Sequence, residues 1–149
     1  MELNTSMFRS NILEEIGAVQ INTSMVNLVL LVRDEIGRVR VSIQTWSKDS
    51  TGKYSPIRGG YSLNGRKAVN LSERITDSLN KGETSELEIS NTQKIECSIS
   101  EELLVISKWW RKDVDSEWTF SKSMSIPKQY GYQLSNYIKE AGRKIIYVK

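Results

Sequence analysis

Histidine is absent from the 149-residue chain, and cysteine occurs once, at Cys97. Without histidine there is no Ser-His or Cys-His nucleophile pair and no usual zinc site. A lone thiol makes no internal disulfide, and its simplest role is that of a small core residue. A carboxylate-bound Mg²⁺ would need a tight acidic cluster, and the sequence has none, so neither a metal nor a cofactor is expected. These absences argue against an enzyme. No apolar run approaches the roughly 20 residues that span a bilayer, so no membrane association is expected. The opening "MELNTSMFRSN" lacks a basic stretch followed by an apolar core. That predicts no secretory signal and an intracellular protein, cytoplasmic or nucleoid-associated.

What the chain does contain is the composition of a globular protein, 38% hydrophobic and 26% charged, with charge unevenly spread. Residues 22–82 hold ten Lys/Arg against five Asp/Glu, and residues 91–149 hold ten against seven. The short pieces before them, 1–21 and 83–90, are acidic. This divides the chain into an N-terminal extension (1–21), a first unit (22–82), a connecting segment or strand (83–90) and a second unit (91–149). The basic excess of the two units favours a polyanionic partner.

The units resemble one another. "WSKDSTGKYSPIRGGYSLN" from Trp46 is echoed by "WRKDVDSEWTFSKSMSIP" from Trp110. Trp46 and Trp110, Lys48 and Lys112, and Asp49 and Asp113 are each 64 positions apart, whereas Leu71 and Leu134 are 63 apart. Each unit reads as two strands, a turn, two short strands and an amphipathic helix. The helices carry Ala68, Leu71, Ile75 and Leu79, or Tyr130, Leu134, Ile138 and Ala141, at helical spacing. Asn64 suits the first N-cap and Pro127 the start of the second helix. Such small units bury too little alone. The expected fold is therefore α+β: two β-β-β-β-α units paired through their helices. Four further elements are expected: a short helix around Phe8, Ile12 and Ile16, strands at 18–22 and 86–90, and a final strand at 143–149.

Alternation along the second strand of the first unit puts Val39, Val41 and Ile43 on one face. Arg38, Arg40, Ser42, Gln44, Trp46 and Lys48 share the other. In the second unit the dense stretch is Lys108, Trp109, Trp110, Arg111, Lys112. Adjacent tryptophans point to opposite faces, so one can pack inward while the other is exposed. The aromatic and basic motif ends in Arg58 in the first unit and Lys122 in the second. Basic side chains track phosphates and rings stack on bases in single-strand binding; the same tryptophans could instead fill the core.

The stretch 32–75 resembles the transcriptional positive cofactor four family, whose members bind single-stranded DNA. Val32-Arg33-Asp34, Gly37, Trp46, Asp49, Gly52, Pro56, Arg58, Gly60 and Ser62-Leu63 carry the resemblance. The second unit keeps Trp110, Asp113, Lys122, Ser125-Ile126 and the helix pattern. The resemblance implies curved antiparallel sheets and dimerisation through the helix, here as a pseudo-dimer within one monomeric chain. Family contact positions fall on Arg33, Arg38, Gln44 and Arg58. Glu35, Ser47 and Gly59 stand where the family has an aromatic, a tryptophan and a lysine.

The expected function is non-enzymatic binding of single-stranded DNA, or RNA, in replication, recombination or transcription. The expected site is Arg33, Arg38, Arg40, Gln44, Trp46, Lys48, Arg58, Lys108, Trp110, Lys112 and Lys122. The competing expectation is a protein-interaction module that binds a polymerase or another protein of the transcription or replication machinery. Trp109, Trp110, Trp118 and Phe120 would then anchor the interface.

Overall fold

The computed structural model describes residues 1–6, 8, 10–57 and 59–147. In the first sheet, strands β1 (Asn11–Gln20), β2 (Met25–Arg33) and β3 (Val39–Lys48) lie antiparallel, side by side. The far edge of β3 is shared by β4 (Tyr54–Pro56) and β5 (Tyr61–Leu63). Helix α1 (Gly65–Lys81) follows. The second sheet is antiparallel in the order β6 (Ser85–Ser90), β7 (Gln93–Ser100), β8 (Leu103–Trp110), β9 (Thr119–Pro127). A 3-10 turn (Lys128–Tyr130) leads from it into α2 (Gly131–Tyr147). The fold is α+β, with two antiparallel sheets and two helices.

Local chemistry sets the first helix. Asn64 caps α1 by accepting a hydrogen bond from the Lys67 amide at 2.7 Å. Gly82 ends it in the left-handed region at φ 68, where a side chain would be strained. The stripes of both helices then meet one shared core. Val41 and Ile43 from β3, Leu104 and Ile106 from β8, and Leu71, Ile75, Leu134 and Ile138 from the helices are all buried in it. Each such side chain contributes roughly 1.5–3 kcal/mol. The helices are exchanged: α1 lies chiefly on β6 and β7 of the second sheet, and α2 on β1, β2 and β3 of the first. They also pack on each other, closely enough that a Cβ on Gly65 would stand 2.8 Å from the Gly142 carbonyl oxygen. Ser135 Oγ donates to the Ser72 carbonyl at 2.8 Å across the same contact. Neither sheet closes its core without the other unit's helix.

Cys97 sits in this core, and burial pushes its thiol up to about 12. Among the described residues no helix is long and apolar enough to cross a membrane.

Several expectations need correction. Residues 11–16 of the stretch expected as an N-terminal helix belong to the strand β1, which also takes in 18–20 of the strand expected at 18–22; residues 7 and 9 lie outside the described residues. Two register shifts in its pairing with β2 break the alternation, so residues spaced four apart, Ile12 and Ile16, reach different apolar clusters. Gly17 is required there, because the Tyr137 ring occupies the place of a Cβ. The final strand at 143–149 is instead the last turn of α2 as far as Tyr147, with residues 148–149 outside the described residues. Ile145 continues the stripe of Leu134, Ile138 and Ala141 onto the core, which outweighs the local β-propensity of "IIYV". In the second unit one long strand, β9, replaces the two short strands.

The repeat register also changes. Val41 pairs with Leu63 and Ile43 with Tyr61; Leu104 pairs with Ile126 and Ile106 with Met124. Every one of these counterparts is offset by 63 positions, as Leu71 and Leu134 are, so no deletion separates strand from helix. The counterpart of Trp46 is therefore Trp109, and Trp110 lies on the opposite face of its sheet.

Candidate nucleic-acid interface

The expected site residues that are described fall into four places. At the β2–β3 hairpin, Arg33 is exposed and donates to the Gly37 carbonyl at 3.1 Å, and Arg38 pairs with Asp34 at 2.8 Å. Further along the outer face of β3, away from the helices, Gln44 is held to the Ile57 carbonyl at 2.6 Å. Lys48 lies exposed over the Tyr54 ring at 6.0 Å. Lys112 is exposed in the turn after β8. Arg58 lies outside the described residues.

Trp46 is the clearest correction on this face. It has no accessible surface, so it is unavailable to stack on a base. It packs with Val26, Leu28, Leu30 and Val32 in a second apolar cluster. The cover is the chain's own N-terminus: Leu3 bridges to Tyr54 in parallel, and the Phe8 ring sits 5.3 Å from the Trp46 ring. Trp109 repeats the arrangement in the second sheet, with Phe120 edge-on at 5.5 Å. Both indole N–H groups are buried without a hydrogen-bond partner. Likewise Lys48 over Tyr54 is matched by Arg111, 4.1 Å over the Trp118 ring. The repeated tryptophan pattern thus records packing of the outer faces.

The remaining residues meet in a cleft of about 390 Å³ between the two units. Arg40 and Lys67 come from the first unit, Lys108 and Lys122 from the second, and no carboxylate lines the space. None of these four takes part in an ion pair among the described residues. Three are held by neutral oxygens instead. Arg40 donates to Ser62 Oγ at 3.2 Å and to the Ser62 carbonyl at 2.9 Å on the edge strand β5. Lys67 donates to the Glu88 carbonyl at 2.9 Å and Lys122 to the Gly60 carbonyl at 2.5 Å. Lys108 and Lys122 are paired directly across β8 and β9, a placement of like charges that destabilises a sheet. Burial, with Lys108 beside it, holds the Lys122 ammonium below the ordinary lysine range. Burial and the neighbouring Arg38 lower Arg40.

Trp110 lies on the same side of β8 as Lys108, two residues along, and is 47% exposed. The cleft therefore opens beside a free aromatic ring. Tyr61 forms its inner wall, with the Lys122 ammonium 5.1 Å over the ring and its hydroxyl donating to the Ile106 carbonyl at 2.7 Å.

Lys67 and Tyr61 are absent from the sequence-based site. Lys67 had a readable signal: Arg66 and Lys67 follow the N-cap, and the first turn of α1 holds no acidic residue. Cations there oppose the helix dipole, an arrangement that a bound anion would relieve. Tyr61 had none, since its position in the cleft depends on β5 meeting β8 across the two units.

No family model matches the chain, and no curated protein matches it. Among solved structures, crystal structures of Trypanosoma brucei MRP1/MRP2 align with a TM-score of 0.45 at 10% sequence identity, covering 89% of this chain and 82% of that one.

Proposed function

We propose that the protein binds single-stranded nucleic acid, without catalysing a reaction, through the cleft between its two units. The observation that carries this reading is the meeting of four cations without carboxylate partners beside an exposed tryptophan. Phosphates would lie against Arg40, Lys67, Lys108 and Lys122, and a base would stack on Trp110, the pairing of contacts by which single strands are held with little sequence preference. Stacking at Trp110 requires an unpaired base, which sets single strands above duplex. The resemblance of residues 32–75 to the positive cofactor four family supports the same reading, as does the arrangement of the units. In it they form an intrachain pseudo-dimer joined by α1 and α2, and the work served is replication, recombination or transcription.

The test is a fluorescence-anisotropy titration with a labelled single strand and with a duplex of the same sequence. Single strands should bind more tightly than duplex. Log affinity should fall against log salt with a slope of about −0.7 per neutralised phosphate. Absence of binding, or preference for duplex, would contradict the proposal.

A second reading, a protein-interaction module, rests on the outer face of the second sheet, where Phe120 and Leu103 are exposed. Phe120→Ser separates the two: strand binding through the cleft survives the change, whereas docking of a protein on that outer face does not.

A further inference from the structure

The offset of 63 gives each cation of the basic cleft a counterpart. Lys108 corresponds to Thr45, Lys122 to Gly59, Arg40 to Leu103 and Lys67 to Tyr130. Thr45 and Gly59 line a second space between the units, of about 180 Å³, together with Ser123, Met124 and Ser125. Those three are the counterparts of Gly60, Tyr61 and Ser62 in the basic cleft. The two spaces thus share part of their lining, and among the described residues that line them one carries four cations and the other none. A general basic coating would have charged both. Gly59 also has a φ of +93, where a lysine would be strained.

We propose that the basic cleft is a phosphate-monoester site that seats the phosphorylated end of a single strand. The inference rests on the single-strand reading above and makes it more specific. An internal phosphodiester carries one negative charge; a terminal phosphate carries about −1.5 to −2 near pH 7. The opposed pair Lys108 and Lys122 calls for an anion of that higher charge held between them. Arg40, Lys67 and Lys122 are already anchored by neutral oxygens, so their donors are placed without being neutralised. The base of the cleft is shut by the buried side chains of Leu63 and Ile95. Its volume is near the lower end of the roughly 300–1,000 Å³ of small-ligand pockets. That geometry suits a terminal nucleotide with its phosphate inward better than a strand running through. Trp110, on the same side of β8, then meets a base at the mouth.

The test compares three internally labelled oligonucleotides of one sequence: 5′-phosphorylated, 3′-phosphorylated, and hydroxyl at both ends. At least one phosphorylated strand should bind about tenfold more tightly than the hydroxyl-ended strand. In K108Q/K122Q that preference should vanish, all three strands binding with one weaker affinity, and thermal melts should show a fold at least as stable, because a like-charge pair is removed. Equal affinity for all three strands would overturn the end-binding proposal and leave single-strand binding standing. If no strand binds, the single-strand reading fails, and calorimetry with a nucleoside 5′-monophosphate decides the cleft by itself. Binding that K108Q/K122Q abolishes would support a monoester site for free nucleotides, and no binding would overturn it.

Discussion

The two clefts between the units share part of their lining and differ in charge among the described residues. One gathers Arg40, Lys67, Lys108 and Lys122; the other has Thr45 and Gly59 where the first has Lys108 and Lys122, and the positions matching Arg40 and Lys67, Leu103 and Tyr130, lie outside its lining. The frame around them is shared. Tyr61 and Met124 occupy the same place on β5 and β9, each reaching the opposite unit: Tyr61 donates to the Ile106 carbonyl and Met124 sulfur accepts from Asn27 at 2.8 Å. The difference in charge thus falls at the ladder pair, while Tyr61 and Met124 each join the two sheets. A chain with one charged cleft should hold one strand where a symmetric pair of clefts would hold two.

That asymmetry can be broken most severely at the ladder pair. Lys108→Ala with Lys122→Ala should weaken single-strand binding by at least about 2 kcal/mol, near 30-fold, since hydrogen bonds to charged groups contribute roughly 1.5–3 kcal/mol each. Anisotropy titration reads the loss directly. Next in size is the ring at the mouth. Trp110→Ala should cost roughly 1–3 kcal/mol of binding and remove most of the fluorescence quenching caused by a bound strand, with little change in melting. The packing tryptophans should behave oppositely. Trp46→Ala should lose roughly 3–5 kcal/mol of stability, and Trp109→Ala, half-buried, a smaller amount, with strand affinity per folded molecule unchanged. The smallest effect belongs to the neutral cleft. Thr45→Ala and Ser123→Ala should leave affinity within about twofold of the parent, and calorimetry with a short strand should give one site per chain. Two sites would mean that the neutral cleft also binds.

Much of the frame was legible because periodicity reports burial. Val41 and Ile43 alternate onto the core, and Leu71, Ile75, Leu134 and Ile138 form helical stripes, so the central strand of the first unit and both helices could be read directly. The site was half legible. Arg40, Lys108, Lys122 and Trp110 were singled out from basic and aromatic patterning, and the structure places three of them in one cleft and the fourth beside it. Trp46 failed for a definite reason. Alternation correctly put it on the outer face of β3, but that face is covered by Leu3 and Phe8 from a segment too short and irregular to show a pattern. The matching Trp-x-Lys-Asp letters suggested an offset of 64, whereas pairing in both sheets follows 63. A few shared letters in a turn carry less physical constraint than the alternation of buried residues, where a slip of one position would turn every core side chain to the other face. The exchange of helices between sheets had no local signal at all, because either sheet could have accepted either apolar stripe.

The salt dependence of single-strand binding by the parent chain and by K108Q/K122Q tests the central claim most directly. If the cleft holds phosphate, the slope of log affinity against log salt should flatten by about 0.7 for each phosphate contact removed, with the duplex control and the melting temperature little affected. An unchanged slope and unchanged affinity in K108Q/K122Q would contradict it, and would place the nucleic acid, if it binds, away from the cleft.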